Sequence, residues 1–199
     1  MPETLLNRVP PESLPGPMAD MWRKSMALRG DATLFEAFGN HPELFAWYID
    51  SFYGSFFRSG RVDRKLKELL RLRLSTLHGC KFCNQGNRLD ALDAGITPAQ
   101  VESIDNPDAD VFSALEKATL RLAAEVCLSQ PEGVLDKSLY SELRKHLDDA
   151  QVMELGMVAG LLTGMAKFMF VFNLVEREPA CPLPHRDVPR QKPGIPEGD

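Results

Sequence analysis

The sequence predicts an all-α protein, a helical bundle, and three observations carry that expectation. Leu115, Ala118, Leu122 and Val126 recur at helical spacing. Thr97-Pro98-Ala99-Gln100 and Ser113-Ala114-Leu115-Glu116 are capping signatures placed just ahead of apolar periodic segments. No stretch alternates apolar and polar residues between turn signals, as a half-buried strand would.

Taken in order, residues 1–17 form a proline-rich arm that should hold no long helix, because proline removes a backbone donor and clashes with the preceding turn. Residues 18–176 then form one helical domain. His41-Pro42-Glu43 opens a helix with proline in its first turn, and Phe45, Trp47, Tyr48, Phe52, Tyr53 and Phe56 pack it inward. Residues 61–77 make a second helix, and residues 80–94 a third, closed by Gly95. Helices follow each capping signature, and residues 136–146 and 148–176 complete the set. Residues 177–199 are a second proline-rich segment.

With 199 residues, 44% hydrophobic and 26% charged, the chain is long enough for one good core. A net charge of −5 gives no electrostatic footprint for nucleic acid or an anionic membrane surface. The N-terminal residues carry five prolines before Trp22 and lack the apolar run of a secretory signal, so a cytoplasmic protein is expected. Residues 152–175 are about as long as a membrane span, but Glu154 and Lys167 interrupt them, which suits a helix buried on most sides in a soluble core. Gly156, Gly160 and Gly164 form a ridge on it that would let another backbone approach.

A shift of 86 residues sets Asp63, Glu68, Leu69, Lys81, Phe82 and Asn87 on Asp149, Glu154, Leu155, Lys167, Phe168 and Asn173, and keeps Leu66 and Leu72 in phase with Val152 and Val158. Two related helical halves are the expectation. Ala166 and Met169 stand where the first half has Cys80 and Cys83, so thiol chemistry belongs to the first half alone.

Those two cysteines are the most informative feature. A Cys-x-x-Cys pair is a redox or metal motif, and at a helix start the orphan N–H groups favour a thiolate. Glu68 lies twelve residues before Cys80, about 18 Å along a continuous helix, so it nears the thiols only if the chain folds back; residues 76–79 are the natural break. A helical wheel sets Glu68 opposite the Leu66, Leu70, Leu77 stripe, where its plain reading is an exposed carboxylate paired with Arg64 or Arg71.

Glu68, eleven residues, Cys80-Lys81-Phe82-Cys83, a polar residue at Asn87 and the turn Ala94-Gly95-Ile96 resemble the alkylhydroperoxidase D-like (AhpD-like) branch of the carboxymuconolactone decarboxylase superfamily, over roughly residues 35–175. His146-Leu147-Asp148-Asp149-Ala150-Gln151 and Glu154-Leu155 also look like family sequence. The resemblance implies an all-helical homo-oligomer, a trimer or hexamer, that reduces a peroxide or disulfide and is recycled by a dithiol such as a lipoyl or thioredoxin-like protein. It implies that Cys83 attacks the peroxide, that Cys80 resolves the sulfenic acid and meets the reductant, and that Glu68 and residue 87 relay the proton.

Asn87 departs from the family pattern, which has histidine there; an amide takes no proton at neutral pH, so a base relay through it is closed. His78 would substitute if Gly79 turns it toward the thiols; otherwise activation rests on the helix start, Lys81 and Glu68. Asn173 holds the matching place in the second half, which suggests a structural hydrogen-bonding role for both.

Other readings stay open. The two thiols with Cys181 and His185 have the donor types of a zinc site. Cys127, between Val126 and Leu128, reads as a small buried hydrophobe, and His41 and His146 as helix-end groups. No flavin or nicotinamide fingerprint is present, so neither a cofactor nor a resident metal is expected. The leading expectation is an antioxidant thiol peroxidase or thiol–disulfide oxidoreductase; the alternatives are a lyase acting on a small carboxylated lactone, and a non-catalytic redox-sensing or zinc-binding helical module.

Overall fold

In a computed structural model, residues 2–179 and 181–183 are described, and the elements among them are all helical. Residues 184–199, with His185 and most of the proline-rich tail, lie outside the described residues.

The arm makes only a short 3-10 turn, Pro11–Ser13, and lies back on the body: Val9 N–H donates to Glu36 O, and Thr4 Oγ1 to Phe172 O. α1 (Gly16–Arg29) ends where Gly30 turns left-handed at φ 67°, a conformation glycine takes at no steric cost. Asp31 then accepts from Thr33 N and Oγ1 and starts α2 (Thr33–Phe38), every residue of which is buried.

α3 (Pro42–Ala46) opens at His41, whose Nδ1 accepts from Leu44 N–H, and passes into a π-helix, Trp47–Phe57. The wider turn shows at its end, where Arg58 N–H reaches back five residues to Tyr53 O. The aromatic run expected to pack inward does so in part: Phe45 and Phe52 are buried, but Trp47 and Phe56 stand more than half exposed, and the neighbouring Phe57 is buried instead.

α4 (Arg64–Leu77) is the central strut. Asp63 caps it through Lys65 N–H, and it packs against three later helices, α5 (Lys81–Asp93), α7 (Ala114–Val126) and α9 (Asp149–Val171). Its buried stretch includes four charged residues, which an apolar interior tolerates only when paired. Lys67 Nζ meets Glu154 Oε1 at 2.7 Å, and Arg73 meets Asp105 at 2.8 Å. Glu68 and Arg71 pair with each other at 2.7 Å.

The two sequence capping signatures form full boxes at α6 (Pro98–Glu102) and α7, and Asp148 with Gln151 forms a third at α9. Asp136 caps α8 (Lys137–Arg144). Apolar side chains gather on both sides of α4. Leu66, Leu70 and Leu74 face α7, α9 and the π-helix, while Leu69 and Leu72 face Ala91, Ile96 and Leu120.

Two expectations about α9 need correcting. It is long and apolar enough to cross a membrane by length and composition, and it is buried along one face rather than on most sides: Met153, Met157, Leu161 and Val171 are exposed. The glycine ridge meets nothing within 4 Å among the described residues, so no backbone approaches it there. The correspondence between halves is carried by α4 and the first turns of α9. It ends where Gly79 breaks the first helix, because α9 runs straight through positions 164–167.

Candidate functional site

The site is assembled at the break between α4 and α5. Gly79 takes φ 60°, and Cys80, in extended backbone, becomes the N-cap of α5. Its Sγ accepts the Cys83 N–H at 3.2 Å, one of the orphan donors of the helix start. Cys80 and Cys83 are joined by a disulfide. The two sulfurs are unequal: Cys80 is 1% exposed, whereas Cys83 is partly open and lines a cavity of about 230 Å³.

Cys83, Asn87 and Asp90 stand at i, i+4 and i+7 on α5, so one helix face turns all three to that cavity. Arg71, Leu74 and Ser75 of α4, with His78 just past its end, form the opposite wall, and Leu162, Met165, Ala166 and Met169 of α9 the floor. Phe45 of α3 and Tyr48, Ile49 and Tyr53 of the π-helix close it, and Arg29 of α1 completes the rim. A larger groove of about 690 Å³ beside Arg61 and Lys65 is remote from the thiols, and its Lys65 and Arg64 are paired with Glu116 and Asp93.

Glu68 makes the ion pairs with Arg71 and Arg64 that its plain reading gives it, but in the interior. It is 3% exposed rather than solvated, and it does not line the cavity. Arg71 stands between: its guanidinium lies 2.7 Å from Glu68 Oε2 and 2.5 Å from Asp90 Oδ2, over the rings of Tyr53 and Phe57. Burial raises the Glu68 pKa against the pull of Arg71 and Arg64. Burial opposes the charge on Arg71, but Tyr53, Glu68 and Asp90 outweigh it and its pKa is raised.

His78 is brought to the cavity wall beside the Gly79 break, and its basic nitrogen is engaged there. Its Nε2 accepts the Leu128 N–H at 3.2 Å, and burial pushes its pKa down to about 4. The ring is therefore neutral, with its proton on Nδ1 and its basic lone pair engaged. Lys81 is held in a pair with Glu176 at 2.8 Å. Asn87 does line the cavity, whereas Asn173 sits at φ 52° and donates to Glu3 O, so the two stand in different surroundings. Cys80, the sulfur that the resemblance gave to the reductant, is the buried one of the pair, and Cys83 is the one that reaches the cavity.

Of the other candidates, Cys127 is buried as expected, and His41 and His146 are exposed. Cys181 lies against Gly79, where an added Cβ would come within 2.6 Å of the Cys181 Cα, and its thiol donates to His78 O at 2.9 Å. Among the described residues no cluster of three or more metal-ligating side chains occurs.

Sequence reasoning passed over Arg29 and Asp90. Asp90 was legible, one heptad after Cys83; Arg29 reaches the site only through the fold.

Comparison with known proteins agrees with this architecture. Residues 42–125 match the carboxymuconolactone decarboxylase family model. The uncharacterized protein YdfG of Bacillus subtilis (strain 168) is 29% identical over 102 residues, covering 51% of this chain and 69% of its own. An alkylhydroperoxidase AhpD core, a peroxidase-related protein from Ralstonia eutropha JMP134, superposes with TM-score 0.67 at 14% identity, over 90% of this chain and 94% of that one. The debrominase Bmp8, in a complex with 2,3,4-tribromopyrrole, superposes with TM-score 0.68 at 16% identity, over 89% and 93%.

Proposed function

We propose that this chain, whose residues 42–125 match the carboxymuconolactone decarboxylase family model and whose helices share the fold of an AhpD core, is a thiol peroxidase and disulfide oxidoreductase acting through Cys83 and Cys80. The observation that carries the reading is the inequality of the two sulfurs, one open to an apolar cavity and the other buried at a helix start.

In the reduced protein, the Cys83 thiolate attacks the terminal oxygen of a hydroperoxide. The O–O bond breaks, the alkoxide takes a proton and leaves as the alcohol, and Cys83 becomes a sulfenic acid. The Cys80 thiol then displaces hydroxide from that sulfur, water leaves, and the Cys80–Cys83 disulfide forms. A partner dithiol, of lipoyl or thioredoxin-like type, attacks the accessible Cys83 sulfur and returns two electrons and two protons. Cys80 is the leaving thiolate, and the Cys83 N–H directed at its sulfur makes it a good one. Arg29 and the start of α5 supply positive potential near Cys83, where Asn87 supplies no base.

The test is steady-state consumption of cumene hydroperoxide with dihydrolipoamide as reductant. Wild type should turn over, and Cys83→Ser should lose activity by at least a hundredfold. Equal activity in the two would end the reading.

A second reading comes from the debrominase likeness together with a cavity sized for one substituted ring. Replacing a carbon–bromine bond by carbon–hydrogen takes two electrons and two protons, which the dithiol pair supplies as it closes to a disulfide and HBr leaves. Bromide release from 2,3,4-tribromopyrrole, stoichiometric with disulfide, would favour it. The homo-oligomer is also part of the proposal, with the exposed Met153, Met157 and Leu161 face of α9 as the surface for a second copy; light scattering that finds a monomer would remove it.

A further inference from the structure

We infer that the cavity beside Cys83 is built for a small, mainly apolar organic anion, with its acid group on Arg29; this deepens the redox reading by naming the class of oxidant. Arg29 is held in one orientation. Its Nε donates to Phe82 O at 2.9 Å, and its guanidinium carbon lies 4.3 Å from the Phe82 ring centroid. Its Nη2 lies so near Gly86 that a Cβ there would collide with it, so α5 carries glycine where the guanidinium rests.

Among the described residues this cation has no fixed counter-ion. No carboxylate among them forms an ion pair with Arg29; Asp90 and Asp31 act on it from farther away, and burial lowers its pKa without making it titratable at neutral pH. Arg71, the buried guanidinium that lines the same cavity, is by contrast held by Glu68 and Asp90. A half-buried, oriented and unpaired cation beside apolar walls gains most from a diffusible anion, through charge-assisted hydrogen bonds in a region of low dielectric.

The rest of the cavity sets the body of that anion. Phe35, Phe45, Ile49, Met165 and Met169 present apolar surface. The volume, about 230 Å³, is below that of sites for drug-sized ligands and suits one substituted ring. Arg58 at the rim, exposed, adds a second positive charge on the way in. The preferred hydroperoxide is therefore one that carries a carboxylate.

Binding of unreactive probes tests this apart from turnover. Benzoate and benzamide have nearly the same shape and differ in charge. Titrated into the reduced protein, benzoate should bind at least tenfold more tightly than benzamide and slow iodoacetamide alkylation of Cys83. Arg29→Gln should erase the preference, and Arg29→Lys, which keeps the charge, should retain part of it. Equal affinity for the two probes in wild type, or benzoate binding that leaves Cys83 alkylation unchanged, overturns the inference. Failure of hydroperoxide turnover with the benzoate preference intact would reject the redox reading and leave the anion site standing.

Discussion

Arg71 of α4 and Asp90 of α5 meet across the helix pair with 2.5 Å between guanidinium nitrogen and carboxylate oxygen, and this contact ties the helix bearing Glu68 to the helix bearing the thiols. The carboxylate that sequence spacing offers as a catalytic group thus reaches the cavity only through a cation that neutralises it.

Removing that cation should be costly. Arg71→Met leaves Glu68 buried without its main partner, and breaking a buried pair in this way costs about 3 kcal/mol or more. Urea denaturation should show this loss, and the double change Glu68→Leu, Arg71→Met should recover most of it, because the uncompensated charge is gone. A single variant as stable as wild type would mean the pair carries no such burden.

His78 sets a pH dependence of stability. Its pKa is depressed from 6.5 to about 4 in the fold by burial. Above pH 6.5 the ring is neutral in both states. Below it the unfolded chain takes up a proton that the folded one refuses, so stability falls from about pH 6.5 toward pH 4, by up to roughly 3 kcal/mol. His78→Gln keeps an acceptor for the Leu128 N–H and should flatten this part of the curve. Identical slopes in the two proteins would reject the assignment.

Gly79→Ala should destabilise on two grounds. The residue sits at φ 60°, where a Cβ costs roughly 1–2 kcal/mol, and that Cβ would lie 2.6 Å from the Cys181 Cα. Thermal melts should show the loss, and hydrogen exchange should show faster opening around residues 78–83. An unchanged melting temperature would mean the break at Gly79 relaxes freely.

Asn87→His places an imidazole on the cavity face of α5 between Cys83 and Asp90. If a base is what this site lacks, peroxide turnover should rise at least tenfold, since a positioned general base contributes about 10²–10⁴. No rise would show that proton transfer at position 87 does not limit the reaction.

Much of the fold was legible because local rules agreed with it. The caps at Thr97, Ser113, Asp136 and Asp148 and the stops at Gly79 and Gly95 each form where their residue types require. The π-helix was not legible: Phe45, Tyr48, Phe52 and Phe56 are spaced for an α-helix, whereas in the fold Phe52 and Phe57, five residues apart, are the buried rings that join Leu66, Leu70 and Leu155 in one core cluster. For Glu68 the helical wheel named the right partners, Arg64 and Arg71, but could not show burial, because α5 brings Asp90 to Arg71 from a distant part of the sequence. The outward face of α9 was misread because composition alone does not tell which of its apolar residues have neighbours. At the site, the thiol spacing was visible in the chain, but the inequality of the two sulfurs depends on how the cavity is assembled around Cys83.

That inequality is tested most directly by asking which sulfur reacts first. Reduced Cys80→Ser and Cys83→Ser proteins, each treated with cumene hydroperoxide in the presence of dimedone and mapped by peptide mass, should differ sharply: rapid labelling of Cys83 in the first, and little labelling of Cys80 in the second. Preferential labelling of Cys80, or no labelling of either, would contradict the account.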